Sequence, residues 1–241
     1  MTTLFHLVIS EPLYNGLIFL MGLLPFFDAG VIIIIFTIIV KFILLPLSIK
    51  ASKAQIQMRG VEGDLKNIKE KYKDNKEEQA KKTVEYYKEK GINPFVSIFI
   101  LIIQLPIIIG LYGVFLKSGL PQIDMNILYS FITPPETINM VFLGLMNIAE
   151  KSIILAIIAG ITTYFQISLS GGPKAKPGGN SQNDVARIMQ AQMKYFFPVL
   201  VVFISYRISA ALALYWITSN VFAIIQEIYI KKKYHKEVTV V

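Results

Sequence analysis

Hydrophobic and polar positions fall along this chain in blocks. From Val31 to Lys50 the sequence reads VIIIIFTIIVKFILLPLSIK, an apolar run of membrane length with one lysine deep inside it. A helix crosses a hydrocarbon core in about 20 residues at about 1.5 Å each, so this run predicts a first span over residues 28–49. Later apolar blocks predict spans over 94–116, which Asn93-Pro94 opens, over 151–169, over a short 195–208 with Pro198 near its start, and over 209–230. The leading block, 1–27, is apolar but is broken at Glu11-Pro12 and again at Pro25. It lacks a basic start and an A-x-A site, which disfavours a cleaved signal peptide. Its pattern predicts a helix lying along the outer interface, with a further transmembrane helix as the alternative.

Between these blocks the chain is polar. Residues 50–93 carry twelve Lys/Arg against eight acids, yet Val61, Leu65, Ile68 and Tyr72, and then Ala80, Val84 and Tyr87, recur at helical spacing. With Asp74-Asn75 as a turn, the pattern predicts a cytoplasmic hairpin of two antiparallel amphipathic helices. It is either a solvated spacer or a docking arm. Residues 117–150 form an outer connection marked by Pro121, Asp124 and Pro134-Pro135, with a short apolar piece from Met140 to Met146 that suits the interface. Residues 170–194 are a Gly/Pro/Asn-rich cytoplasmic loop, and 231–241 a basic cytoplasmic tail.

Composition agrees with this pattern. Hydrophobic residues make up 54% of the chain and mean hydropathy is +0.56, which marks a polytopic, all-α membrane protein and excludes a water-soluble fold. The net charge of +8 is explained by topology. Twenty Lys/Arg lie in the blocks assigned to the cytoplasm, three (Lys117, Lys151, Arg207) lie outside, and Lys41 is the remaining one. Five spans follow, with the N-terminus outside and the C-terminus inside, and no nucleic acid is needed to account for the basic excess. The absence of cysteine excludes disulfides, thiolate metal sites and a catalytic thiol. With only His6 and His235, a histidine metal site or proton relay is disfavoured, and no cofactor is expected. There is no Walker-type glycine loop.

The candidate chemistry centres on Lys41. It lies nine residues before Lys50, roughly 13 Å of helix, which is further than a lysine stem comfortably snorkels. A charge at that depth costs about 2.5 to 3.5 kcal/mol on insertion scales, so it marks a functional site by default. Thr37 lies one turn away, and Gln104, Thr162, Gln166, Ser219 and Asn220 sit at inner or middle depth on other spans. If they converge, they line a wet, cationic cavity open to the cytosol and lipid. The competing reading is that Lys41 bonds Gln104 or a backbone carbonyl and only holds the bundle together.

Several strings, TIIVKFILLPLSIK, KYK, YYKEKGINPF, IQLPIIIGLY, GITTYFQ and LYWITSN followed by IIQ, come in an order that resembles the YidC/Oxa/Alb membrane protein insertases. The resemblance runs from about Pro12 through the last span, in the short bacterial form without a large extracytoplasmic domain. It implies five helices around a hydrophilic groove, no enzymatic activity, and insertion of nascent membrane proteins, alone or beside the Sec translocon, with the ribosome and membrane lipids as further partners. Lys41 matches the groove cation, which is usually arginine in bacterial members. Thr37 matches the polar residue one turn before it, and Trp216 matches an aromatic substrate-contact position often held by tyrosine. Gln104, Thr162 and Gln166 match polar positions of the family. Ala156 and Ser209-Ala210-Ala211 depart from a proline and a Pro-x-Gly turn found in many members. The rival readings are a small transporter or channel that uses Lys41 as its selectivity charge, and a passive assembly scaffold.

Overall fold

The computed structural model describes residues 6–93, 109–110, 113, 120–170 and 192–238. Most of the span expected over 94–116, including Gln104, lies outside them, as does the loop from 171 to 191. After a π-helical turn at His6–Ser10, helix α1 spans Glu11–Leu23, with Pro12 in its first turn, where a missing N–H leaves no bond unmade. Its buried face is Tyr14, Asn15, Leu17, Ile18 and Met21, a stripe of helical period. Gly16 packs against Phe36, where a Cβ would come within 3.0 Å of the ring.

Helix α2 (Ala29–Gly60) is 32 residues long. Asp28 caps it, its Oδ1 accepting from the Val31 N–H at 3.0 Å. The helix continues well past residue 49, where the sequence turns polar. Ala51 to Met58 is built of good helix formers, and Ala51, Ser52 and Ala54 are buried. The first break comes at Gly60, so polarity and helicity end at different places.

Beyond it, α3 (Glu62–Lys71) and α4 (Lys76–Glu89) fold back on one another. Gln79 Nε2 donates to the Lys69 carbonyl at 2.7 Å, and the Tyr86 hydroxyl bonds the Asp64 carboxylate, so the pair is antiparallel. Asn75 caps α4 by accepting from the Glu78 N–H at 3.1 Å. The inward face of α4 differs from the apolar stripe. Gln79, Thr83, Tyr86 and Tyr87 are half-buried, whereas Ala80 and Val84 point to solvent. Polar bonds hold this hairpin, and no residue of α4 is buried.

The connection that follows packs onto the starts of α1 and α2. Asn15 bonds the carbonyls of Glu11 at 2.9 Å and Ile127 at 2.8 Å, and accepts from the Tyr129 N–H at 2.7 Å. The Ala29 N–H donates to the Asn139 carbonyl at 2.8 Å. The apolar piece at 140–146 forms a small antiparallel hairpin, β1 (Val141–Phe142) paired with β2 (Met146–Asn147).

Three helices complete the fold: α5 (Ile153–Ser170), α6 (Phe197–Ile208) after a π-helical turn at Gln192–Phe196, and α7 (Ala210–Val238). Extended Ser209 alone separates α6 from α7. The carbonyls of Glu150 and Ile148 accept from the N–H groups of Ala210 and Ala211 at 2.8 and 3.0 Å, satisfying orphan donors at the start of α7.

Cross-helix pairs fix the directions. Phe42 meets Phe222 and Ser48 meets Gln226, so α2 and α7 are parallel. Thr163 meets Asn220 and Leu169 meets Lys231, so α5 and α7 are parallel too. Gly160 faces Pro198 and Val202 while Tyr164 faces Lys194, so α6 runs antiparallel to α5. A side chain at Gly160 would collide with Val202, and the missing Cβ is what brings α5 and α6 together. All three parallel helices therefore start at one pole and end at the other. The buried core lies toward the starting pole, where Ala29, Ile32, Ile33 and Phe36 meet the buried Ala210–Trp216 and the 120–150 connection.

Candidate functional site

The site is built on α2, α5 and α7, the three helices among the described residues long and apolar enough to cross a membrane: Ala29–Met58, Ile153–Ser170 and Ala210–Lys233. Thr37, buried on α2, spends its hydroxyl on its own helix, donating to the Ile33 carbonyl at 2.7 Å. Lys41 comes one turn later and is half-buried. It marks a change in packing, because after Thr37 no residue of α2 is buried until Ala51, and the neighbours Phe42 and Ile43 are exposed.

Across from α2, the α5–α7 seam carries a polar cluster. Asn220 Nδ2 donates to Thr163 Oγ1 at 2.8 Å and to Thr162 Oγ1 at 3.2 Å. Both threonines donate onward to the Ala159 carbonyl, at 2.7 Å from Thr163 and 3.0 Å from Thr162. In lipid a buried amide without partners would be costly, and here its two protons are used. Ser219 is buried beside Asn220. Trp216 is buried one turn nearer the starting pole, in the hydrophobic core. Gln166 turns along its own helix, donating from Nε2 to Ser170 Oγ at 3.2 Å.

Thus Thr162 and Asn220 are brought together. Gln166 is engaged within α5, Thr37 within α2, and Gln104 lies outside the described residues.

Two polar ties that sequence reasoning did not single out lie closer to the ending pole. Ser48 Oγ on α2 donates to Gln226 Oε1 on α7 at 2.9 Å. Glu227 is buried, 3.5 Å from Lys231, whose Nζ also bonds the Leu169 carbonyl of α5. Thr163, beside Thr162 in the same span, is the more buried of the threonine pair and makes the shorter bond to Asn220. It lies four residues after Ala159, on the same face as Gly160 and Ala156.

Three membrane-length helices packed in parallel around a seam of hydroxyl and amide groups define a helical, multi-pass membrane protein. Comparison with known proteins gives the family. The model described as 60Kd inner membrane protein matches residues 21–237, and the chain belongs to that family. It is 33% identical over 204 residues to a protein of Fusobacterium nucleatum named membrane protein insertase YidC, covering 85% of this chain and 86% of that protein. It is 34% identical over 209 residues to the protein of the same name in Clostridium tetani, covering 86% and 84%. A longer protein of that name from Francisella philomiragia is 31% identical over 205 residues, covering 85% of this chain but 33% of that protein. These relatives are named for inserting proteins into membranes, and the family is not one of enzymes.

Proposed function

We propose that this chain is a membrane protein insertase of the bacterial inner membrane, working through a cationic groove open to the cytosol and to lipid. The observation that carries the reading is the likeness to insertases along 85% of the chain. Five spans are the arrangement that fits the helix directions. Because α2, α5 and α7 are parallel, the chain must return between α2 and α5 and again between α5 and α7. Residues 94–116 are apolar and membrane-long, and suit the first return; α6, antiparallel to α5, suits the second.

The starting pole faces outward. The α3–α4 hairpin, with most of its lysines, extends from the ending pole, whereas Lys151 and Arg207 sit at the starting pole. That is the asymmetry expected when basic segments stay in the cytoplasm.

Lys41 is the working charge of the groove. Its Cα lies about 18 Å along α2 from Ala29, beyond the sealed packing and in the half where α2 is not buried. There its ammonium attracts an acidic or polar client segment arriving from the cytosol. Thr162, Asn220 and the Ser48–Gln226 tie keep the adjacent seam polar. Lysine supplies point charge without the planar fork of arginine, so attraction is general rather than bidentate. The client's apolar helix then moves along α5 and α7 into lipid. The driving terms are apolar burial and the membrane potential, the latter worth about 2.3 kcal/mol per charge per 100 mV. The hairpin, basic loop and tail meet the client or ribosome, and insertion proceeds alone or beside the Sec translocon.

The test is reconstitution. Purified protein in liposomes should give protease-protected insertion of a single-span client with an acidic translocated end, well above that into empty liposomes. Insertion no greater than into empty liposomes, together with specific solute uptake, would replace this reading with a transporter.

A further inference from the structure

The tip of the β1–β2 hairpin is built against the usual chemistry of a turn. Leu143 and Gly144 both have positive φ, 51° and 73°, with the Leu145 N–H donating to the Phe142 carbonyl at 2.9 Å. Such a pair of left-handed residues is ordinarily Asn-Gly or Asp-Gly, because a branched apolar side chain is strained there and gains nothing from water. Gly144 fits. Leu143 does not fit on backbone grounds, and packing within the chain does not explain it, since it is 62% exposed and Leu145 is 78% exposed. From Met140 to Met146 no side chain is charged or a hydrogen-bond donor.

The tip is nevertheless firmly placed. Asp28 Oδ2 accepts from the Leu143 N–H at 3.1 Å while its Oδ1 caps α2, and Gly30 lies so tightly under Phe142 that a Cβ would collide with the ring. The two leucines are thereby fixed level with the residue at which the membrane-crossing helix begins. Exposed Phe26 and Phe27 immediately precede that residue, and exposed Ile153 and Ile154 open α5. The apolar surface at the tip therefore continues that of the crossing helices.

We propose that the Leu143-Gly144-Leu145 tip inserts into the outer surface of the bilayer, with lipid as its occupant, and anchors the starting pole at a fixed depth. Strain at Leu143 is then offset by burying two leucines among acyl chains, while Asp28 holds the loop backbone at the polar boundary. The proposal concerns the starting pole, about 18 Å along α2 from Lys41, and rests on the proposed orientation of that pole but not on insertase activity.

The chain contains no cysteine, so single positions can be labelled cleanly in the full-length protein. Leu145→Cys and, as a control in the same connection, Glu136→Cys would be labelled with nitrobenzoxadiazole and reconstituted in vesicles of phosphatidylethanolamine and phosphatidylglycerol. The expected result is blue-shifted emission at position 145, strong quenching by lipids carrying a nitroxide high on the acyl chain, and little quenching by iodide present on both faces. Position 136 should show the reverse. Iodide quenching without nitroxide quenching at 145 would mean that the tip stands in water, and would overturn the proposal. Protection from both quenchers would overturn it in favour of a protein cover. Relief of that protection on dilution into excess lipid would identify the cover as a second copy of the chain.

Discussion

The two halves of the membrane-crossing bundle are built differently although the same helices run through both. In the starting half, α2 buries Ala29, Ile32, Ile33, Phe36 and Thr37, and α7 buries every residue from Ala210 to Trp216. The connection over residues 120–150 closes over them, with Tyr14 and Asn15 tying it down by bonds to Asp124, Ile127 and Tyr129. In the ending half, α2 buries nothing between Thr37 and Ala51, and among the described side chains of α7 only Ser219, Asn220, Glu227 and Ile230 are buried there. Apolar packing holds the first half. The second is held by individual polar ties, Asn220 to the threonines, Ser48 to Gln226 and Lys231 to the Leu169 carbonyl. A bundle packed tightly at one end and joined by a few bonds at the other fits the proposed groove, which would stay closed outward and admit a helix from within. Lys41 stands at the transition.

That contrast orders the expected effects of substitution. Gly30→Val should be the most damaging to stability, because its Cβ would collide with Phe142 beneath the sealed half. Overpacking of this kind costs about 3 kcal/mol, at the upper end of the usual range, and thermal unfolding in detergent would read it. A melting temperature unchanged from wild type would show that the starting pole is not tightly sealed. Lys231→Met leaves Glu227 buried beside an apolar chain and removes the bond to Leu169. Because Lys231 is itself partly exposed, the loss should be about 2 kcal/mol, between the buried-pair and surface-pair ranges. Asn220→Ala removes two interhelical bonds and should cost about 1 kcal/mol, within the measured span for such bonds in bilayers. If instead it unfolds the protein, the ending half is not held by separable ties.

The smallest effect belongs to the α3–α4 hairpin. The Asp64 carboxylate bonded to the Tyr86 hydroxyl raises that phenol from 10 to about 12. A raised folded-state pKa means that the bond contributes fully below the ordinary value near 10 and is lost as pH rises through about 12. In an absorbance titration, Tyr86→Phe should remove one phenolate from the upper part of the curve and leave the bundle's melting temperature unchanged.

The long apolar runs made the crossing helices legible, since α2, α5 and α7 each carry enough consecutive apolar residues to cross a bilayer. Their ends were less so. The polar change after Ser48 suggests a boundary that the backbone ignores until Gly60, because membrane exit alters side-chain chemistry without stopping a helix. Of the Ala80-Val84-Tyr87 stripe, only Tyr87 turns inward, for a related reason. In α4, periodic apolar residues mark a face, but Gln79 and Tyr86, which bond α3, decide which face turns inward. In the candidate site, Thr162 and Asn220 are recognisable as polar residues in apolar helices, and the structure joins them. That Thr163 takes the shorter bond depends on helix rotation, and the Ser48–Gln226 tie on the register between two helices far apart in sequence. Neither is written in local pattern.

The charge at the transition carries the central claim. Wild type, Lys41→Arg and Lys41→Ala should be reconstituted at equal amounts of folded protein, and protease-protected insertion of a single-span client with an acidic translocated end measured for each. Wild type and Lys41→Arg should insert, and Lys41→Ala should fall by at least about tenfold, the factor that 1.4 kcal/mol of lost attraction represents. Equal insertion by all three would contradict a working charge at the boundary between the sealed and open halves.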